Sequence, residues 1–167
     1  MRRIAVTGHR ALPTTAIPII ARHIRRHLRE RAQVLSDETR GPTGLTGLSC
    51  LADGADTLFA TELLALGGSL EVIVPARTYR DELPDQHHPR YDELLAQATH
   101  VHRLAYPEST PQAHLAASQY MVDHAEELVA VWDGLPARGP GGTADVVAYA
   151  HRRQVPVTVI WPEGTVR

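Results

Sequence analysis

The sequence predicts one α/β domain over residues 1–167, built as a doubly wound, mostly parallel sheet flanked by helices. Six short apolar segments alternate with segments of helical periodicity, which is the pattern of consecutive βαβ units. The apolar segments are nearly continuous, as expected for strands covered on both faces. With 167 residues, 43% of them hydrophobic, the chain is long enough to bury a substantial core.

The first half of the chain contains three of the predicted strands. They are Ile4–Thr7, residues 43–49 after a break at Gly41–Pro42, and Leu70–Val74. The first helix carries Ile17, Ile20, Ile24 and Leu28 at helical spacing, and its arginines are interpreted as a solvated face. The second helix is expected from about Gly54 to Leu66, where Gly67–Gly68 ends it.

The second half is expected to complete the sheet. We predict an irregular stretch over 76–89, a helix over 91–99 and a strand over 101–106. Ser109 and Gln112 have capping-box spacing at the start of a helix that reaches about Glu126. A strand over 128–132, a glycine-rich loop over 134–142 and a helix over 143–152 follow, and Pro156 suggests an edge position for a last strand over 155–161.

Composition excludes several kinds of chemistry. All 17 basic residues are arginine, so a P-loop, which needs a lysine, is excluded, as is Schiff-base catalysis. Cys50 is the single cysteine, which fits a reducing cytoplasm. No segment is apolar enough to span a membrane, and the start reads as a strand, not as a secretory signal. The net charge of −2 gives no general attraction to nucleic acid, and we expect no cofactor.

Candidate functional residues follow the carboxyl ends of the predicted strands, where ligands bind in such sheets. The set comprises Gly8, His9, Arg10, Asp53, Gly54, Asp56, Arg77, Tyr79, Asp133, Gly134, Gly141, Gly142 and Thr143. We expect Gly8, Gly54, Tyr79, Asp133 and Gly142 to surround one cavity. The opposite rim of the sheet is expected to carry few clusters of charged residues.

Each candidate has a structural and a functional interpretation. Gly141–Thr143 is either a phosphate site at a helix N-terminus or a flexible loop capped by Thr143. Asp53 and Asp56 either stabilise a helix start or hold ribose hydroxyls. Arg10, Arg77 and Arg80 are either anion-binding groups or surface arginines. His23 and His27 are four residues apart, but without a third ligand we predict no metal site. The fingerprint Gly-x-Gly-x-x-Gly of ordinary NAD and FAD sites is absent.

The order of these motifs resembles the SLOG superfamily, a Rossmann-like group that includes DprA, the LOG phosphoribohydrolases and the YspA/YpsA-like proteins. The resemblance is carried by residues 4–10, by Gly54-Ala55-Asp56, by residues 131–134 and by residues 141–144. It implies a pocket for a nucleotide or nucleotide sugar and a homodimer. Leu115, Tyr120, Met121 and Val122 are candidate dimer contacts, although the same residues fit a core.

The LOG motif Pro-Gly-Gly-x-Gly-Thr-x-x-Glu is altered in this sequence. Pro140-Gly141-Gly142-Thr143 lacks two residues before the threonine, and Val146 stands where the glutamate would be. We therefore expect a cytoplasmic domain that binds a nucleotide or nucleotide-derived ligand, and the resemblance implies a sensor or effector role for it. One alternative is a nucleoside 5′-monophosphate N-glycoside hydrolase that uses Asp145 or Asp133. A second alternative is a DprA-like binder of single-stranded DNA, although nucleic acid is not the expected partner.

Overall fold

The computed structural model describes residues 2–36 and 43–167. Its strands and helices are, in chain order, β1 (Arg2–Gly8), α1 (Ile17–Ser36), β2 (Leu45–Ser49), α2 (Ala55–Ala65), β3 (Ser69–Ala76), α3 (Tyr79–Glu82), α4 (His88–Ala96), β4 (His100–Tyr106), α5 (Pro111–Asp123), β5 (Glu127–Val131), α6 (Thr143–Arg152) and β6 (Val157–Ile160). A 3₁₀ turn at Asp85–His87 joins α3 to α4.

The six strands form one sheet in the order β4-β3-β2-β1-β5-β6. Every neighbouring pair is parallel, so the predicted fold class is confirmed and the sheet is wholly parallel. β6 lies at an edge, as Pro156 suggested. β2, β3 and β4 extend to one side of β1, whereas β5 and β6 lie on the other side. The chain therefore changes direction between β1 and β5, and the loops that follow these two strands separate at that point.

The core lies between the sheet and its helices. Ile4, Ala5 and Val6 of β1 are fully buried, as expected for a central strand with both faces covered. Ile20, Ile24 and Leu28 of α1 are also buried, which confirms the predicted apolar face of this helix. Each such aliphatic side chain contributes roughly 1.5–3 kcal/mol by leaving water. This packing holds the strand ends, and the loops that follow them, in fixed positions.

Several predicted boundaries are wrong. Residues 76–89, predicted to be irregular, contain α3, the 3₁₀ turn and the start of α4. Pro89 occupies the first turn of α4, a position where its missing N–H costs no helical hydrogen bond. The cap of α5 is Thr110, whose hydroxyl accepts a hydrogen bond from the Ala113 amide, and not Ser109. The predicted break at Gly41–Pro42 lies outside the described residues.

The rim at the amino ends of the strands carries two charged clusters that the sequence pattern did not identify. Arg3 donates two hydrogen bonds of 2.8 Å to the Glu71 carboxylate. Glu127, 1% exposed, accepts hydrogen bonds of 2.9 and 3.2 Å from Arg31 and lies 2.7 Å from His27 Nε2. Burial alone would raise the pKa of Glu127, but the contacts with His27 and Arg31 lower it to about 2. The partners are distant in sequence, which is why the sequence pattern did not reveal these clusters.

Candidate functional site

Two adjoining cavities open at the carboxyl ends of the strands, beside the point where the loops that follow β1 and β5 diverge. The larger, which we call the outer cleft, has a volume of about 530 Å³. It is lined by Thr7, Gly8, His9, Arg10, Ala11, Ala137, Arg138, Gly139, Pro140, Gly141, Gly142, Thr143 and Arg167. The smaller, the inner cavity, has a volume of about 110 Å³. It is lined by Val6, Thr7, Gly8, Arg10, Cys50, Ala52, Asp56, Pro75, Tyr79, His114, Ser118 and Met121.

Thr7, Gly8 and Arg10 line both cavities, so the end of β1 separates them. Gly8 is required there because a Cβ atom at this position would lie 2.4 Å from Ala55 Cβ. The five residues expected around one cavity are thus divided. Gly142 lines the outer cleft, Tyr79 lines the inner cavity, and Gly8 lines both.

The glycine-rich loop brings the N-terminus of α6 to the outer cleft. Gly142 is the residue before the helix, and no side chain caps its end, so Thr143 is not the cap. Gly141 has a φ of +78°, a conformation that favours glycine. Because the first helical amides have no partner within a helix, the amides of Thr143 and Ala144 are available to a ligand. The Gly141 amide, in contrast, donates a 2.9 Å hydrogen bond to Asp145 Oδ2.

Arg10 is held at the mouth of both cavities by Asp53. The guanidinium Nη2 lies 2.7 Å from Asp53 Oδ1, and Nε donates a 2.8 Å hydrogen bond to the same oxygen. The Arg10 side chain is 48% exposed, so part of its guanidinium still faces solvent. Asp53 lines neither cavity. Its role in the structure is to orient Arg10.

Asp56 is the buried carboxyl of the inner cavity. It is 8% exposed, and its Oδ2 accepts a 3.3 Å hydrogen bond from the Ala52 amide. Burial raises the pKa of Asp56 to about 7, and the negative charge of Asp53 adds to this effect, whereas Arg10 opposes it. Asp56 therefore exchanges its proton near neutral pH, which is typical of groups at functional sites.

His114 lies in the wall of the same cavity and was not among the predicted site residues. Its Nε2 is 2.5 Å from Ser109 Oγ, and its ring contacts the Tyr79 ring edge-on at 5.8 Å between centroids. Burial lowers the pKa of His114 and the charge of Arg10 lowers it further, so the imidazole is neutral at pH 7. Burial also raises the pKa values of Cys50 and Tyr79, which stay protonated. The inner cavity thus combines a neutral histidine with a carboxyl that titrates near pH 7.

Asp133 takes part in an ion pair beside the cleft. Its Oδ1 lies 3.3 Å from His9 Nε2, and its Oδ2 lies 3.1 Å from Arg167 Nε. Burial lowers the pKa of His9 despite the nearby Asp133 carboxylate. Asp133 lines a separate pocket with Leu135, Arg138, Trp161, Thr165, Val166 and Arg167. It joins the ends of β1 and β5 to Arg167, and it does not line the outer cleft.

The remaining predicted residues lie outside both cavities. Gly54, at φ +90°, supports the β1–α1 loop, because a Cβ atom there would lie 2.0 Å from the Arg10 carbonyl oxygen. Gly134 is exposed at the start of the loop after β5, and Arg77 is exposed after β3. Arg80 donates two 2.7 Å hydrogen bonds to Asp92, on the surface. Among the described residues, no group of three or more metal-binding side chains occurs, so His23 and His27 gain no third ligand.

In the described part of the chain, residues 2–36 and 43–167, no helix has both the length and the apolar character needed to cross a bilayer.

Comparison with known proteins gives matches only at the level of structure. No protein-family model matches the sequence, and no curated protein matches it. DNA processing protein A (DprA) of Streptococcus pneumoniae superposes with a TM-score of 0.67 at 17% identity, over 98% of this chain and 52% of that protein. The chain therefore spans about half the length of that relative.

Two further structures are similar to this chain. DprA of Helicobacter pylori, described with a single-stranded DNA binding mode, has a TM-score of 0.68 and 18% identity over 98% of this chain and 67% of that one. The structural-genomics target TM1055 has a TM-score of 0.54 and 18% identity over 99% of this chain and 76% of that one. At these identities the likeness establishes the fold and no more. Together with the parallel six-stranded sheet, these neighbours show that the chain has a Rossmann-like α/β fold similar to that of DprA and TM1055.

Proposed function

We propose that this protein binds a nucleotide or nucleotide-derived ligand, with its phosphate in the outer cleft at the N-terminus of α6. The proposal is supported by two features that occur together in this cleft. An uncapped helix start, approached through Gly141 and Gly142, faces the same space as Arg10. Helix amides and a guanidinium are complementary to a phosphate in both geometry and charge.

Two other arginines supply positive charge to the outer cleft beside Arg10. Arg138 and Arg167 line the outer cleft with Arg10, whereas Arg77 does not. Arg167 is paired with Asp133 and its side chain is only 15% exposed, whereas Arg10, although paired with Asp53, is 48% exposed. Arg10 and Arg138 are therefore the cations best placed for phosphate. Asp56, in the adjoining inner cavity, is our candidate for accepting hydrogen bonds from sugar hydroxyls. Asp133 is less suited to that role because His9 and Arg167 already occupy its oxygens.

A second candidate function is hydrolysis of a nucleoside monophosphate at its N-glycosidic bond. The inner cavity favours it, because a general acid works best with a pKa near the working pH and Asp56 has a pKa of about 7. The carboxylates suggested by the sequence, Asp145 and Asp133, are engaged by the Gly141 amide and by His9 with Arg167. Asp56 is therefore the residue to which we assign proton donation in this alternative.

The structural neighbours also bear on a nucleic-acid partner. One of them is described as a protein that binds single-stranded DNA. This weakens the expectation, drawn from net charge, that nucleic acid is not a partner. The proposed location remains the cytoplasm, in keeping with the buried free thiol of Cys50.

We also keep the homodimer as a proposal. Met121 and Val122 are buried in the core of the single chain, which leaves Leu115 and Tyr120 as the partly exposed candidates for a contact. Light scattering at micromolar concentration tests the proposal, and a monomer would refute it.

The test of the binding function is calorimetry with AMP and adenosine, on the wild type and on Arg10→Ala. A charged hydrogen bond to phosphate is worth about 1.5–3 kcal/mol, so we expect Arg10→Ala to weaken AMP binding about ten- to a hundredfold and adenosine binding much less. Arg103→Ala, at an exposed position on β4, is the control. Equal losses for AMP and adenosine would show that Arg10 does not contact the phosphate. Release of free base during incubation would identify the hydrolase instead.

A further inference from the structure

Helix α1 presents an unusually basic outer surface. Its twenty residues include five arginines and one glutamate. Two of the arginines are neutralised by buried carboxylates, since Arg25 donates hydrogen bonds of 2.7 and 3.0 Å to Glu62, and Arg31 is bound to Glu127. Arg22, Arg26 and Arg29 are exposed, and none of them forms an ion pair with any residue in 2–36 or 43–167. We call these three residues the α1 arginine row.

The spacing of the row places its members on one side of the helix. Positions i, i+4 and i+7 share a helical face, and at a rise of about 1.5 Å per residue the row extends over about 10 Å. A shallow groove of about 390 Å³ follows it, lined by Arg22, Arg25, Arg26, Arg29, Glu30 and Gln33. Arg26 also lines a second groove of about 440 Å³ between α1 and β6. All three arginines therefore border one groove, and Arg26 borders a second.

We propose that the α1 arginine row binds the phosphodiester backbone of a nucleic acid strand without reading its bases. Guanidinium groups pair with phosphates through two parallel hydrogen bonds, because their donors match the spacing of the phosphate oxygens. The row is a single line of positive charges, which suits one backbone. This surface is distinct from the outer cleft, so the inference does not depend on the proposed nucleotide site.

The chemistry of the helix argues against a lipid surface or a protein as the partner. A helix that lies on a membrane inserts its apolar face, but Ile20, Ile24 and Leu28 of α1 are already buried in the core. Protein interfaces are centred on aromatic or aliphatic anchors. The groove that all three arginines share is lined by arginines, Glu30 and Gln33, and apolar groups such as Val159 and Trp161 lie only in the second groove, which Arg26 alone of the row borders.

The net charge of the chain does not oppose this proposal. The value of −2 sums over the whole surface, whereas binding to phosphates depends on charge within about one Debye length, roughly 8–10 Å. Among the residues that line the groove along the row, the carboxylate is that of Glu30, on the same helix. Glu62 and Glu127 are already paired with Arg25 and Arg31. Glu30 therefore lowers the affinity without abolishing it.

The test measures fluorescence anisotropy of labelled oligothymidine and of a mixed-sequence strand, each about 20 nucleotides long, as salt is varied. Three phosphate contacts predict a slope of about −2 for log K against log salt, or about a twentyfold loss of affinity between about 50 and 200 mM. Both strands should bind alike. At low salt, the variant R22Q/R26Q/R29Q should bind at least tenfold more weakly than the wild type. Its plot of log K against log salt should also have a much shallower slope. Glu30→Gln should bind more tightly than the wild type.

A matched variant, R77Q/R103Q/R152Q, removes three charges from exposed arginines that form no ion pair within residues 2–36 and 43–167, and it should bind like the wild type. Equal losses in the two triple variants would show diffuse attraction and overturn the proposal. Absence of wild-type binding at about millimolar protein, or stronger binding to vesicles containing phosphatidylserine than to either strand, would also overturn it. Nucleotide binding in the outer cleft should be unchanged in R22Q/R26Q/R29Q, which separates the two proposals.

Discussion

The buried carboxyl of Asp56 should make the protein less stable as pH rises towards neutrality. In the folded protein its pKa is raised to about 7, against an ordinary value of 3.8. Between these two values the folded state holds a proton that the unfolded chain has released, so the free energy of unfolding decreases as pH increases. A carboxylate stabilised by an ion pair has the opposite effect, because the stability that it contributes is lost as pH falls.

The size of the effect follows from the difference between the two pKa values. Each pKa unit corresponds to about 1.4 kcal/mol, so ionised Asp56 costs about 4 kcal/mol above pH 7. About 1.5 kcal/mol of this cost is already present at about pH 5. Between about pH 5 and pH 8, the free energy of unfolding of the wild type should therefore fall by about 3 kcal/mol more than that of Asp56→Asn.

Urea denaturation of the two proteins at both pH values tests this expectation. Asp56→Asn removes the ionisable group at nearly constant volume, and its amide oxygen can still accept the hydrogen bond from the Ala52 amide. Asp92→Asn is the control: the hydrogen bond from Arg80 lowers the pKa of Asp92 below 3.8, so this group is ionised throughout and the variant should show the same pH dependence as the wild type between about pH 5 and pH 8. Parallel pH dependences in the wild type and Asp56→Asn would refute the argument and place the Asp56 pKa near its ordinary value.

Three further perturbations test the roles of individual residues. Gly54→Ala should lower the free energy of unfolding by about 3 kcal/mol or more, because the new Cβ lies 2.0 Å from the Arg10 carbonyl oxygen. Gly134 also has a positive φ, but no atom lies within 4 Å of a Cβ built there, so Gly134→Ala should lower it by only about 1 kcal/mol. Thermal unfolding measures both differences. Glu127→Gln should cost about 3 kcal/mol at neutral pH by leaving Arg31 and His27 without their carboxylate. Since the pKa of Glu127 is about 2, this difference should shrink as pH falls from about 4.5 towards 2 in urea denaturation, and a constant difference would contradict it. Asp145→Asn should strengthen AMP binding severalfold in calorimetry by removing a negative charge beside the proposed phosphate, and weaker binding would contradict that placement.

The fold could be predicted because its signals are local. Apolar runs such as Ile4–Thr7 mark buried strands, and the spacing of Ile20, Ile24 and Leu28 marks the inner face of α1. The alternation of the two patterns then specifies parallel strands joined by helices. The ends of helices and strands are less predictable where a residue type is common in two kinds of structure. Pro89 belongs to the stretch predicted to be irregular, yet it lies in the first turn of α4, because proline suits both a loop and a helix start.

The composition of the site was only partly predictable, because strand order decides which loops meet. Arg10, Asp56, Tyr79 and Gly142 were predicted to follow strand ends, and the structure puts all four in the walls of the two cavities. No sequence signal marks His114, which lies one turn inside α5 and reaches the inner cavity only because α5 packs beside β3. Asp53 and Gly54 follow a strand as well, yet they hold the β1–α1 loop and Arg10 in place.

The division of the site into two cavities limits what a ligand can be. The outer cleft offers helix amides and arginines, which suit an anion, and the inner cavity offers a carboxyl that is only half ionised near pH 7. A ligand that donates hydrogen bonds to Asp56 will favour its charged form, so binding at pH 7 must release protons. A ligand that accepts a hydrogen bond from Asp56 will take protons up. Calorimetry in buffers of different ionisation enthalpy measures the sign of this exchange, and thereby distinguishes sugar hydroxyls from an accepting group in the inner cavity, whichever base the ligand carries.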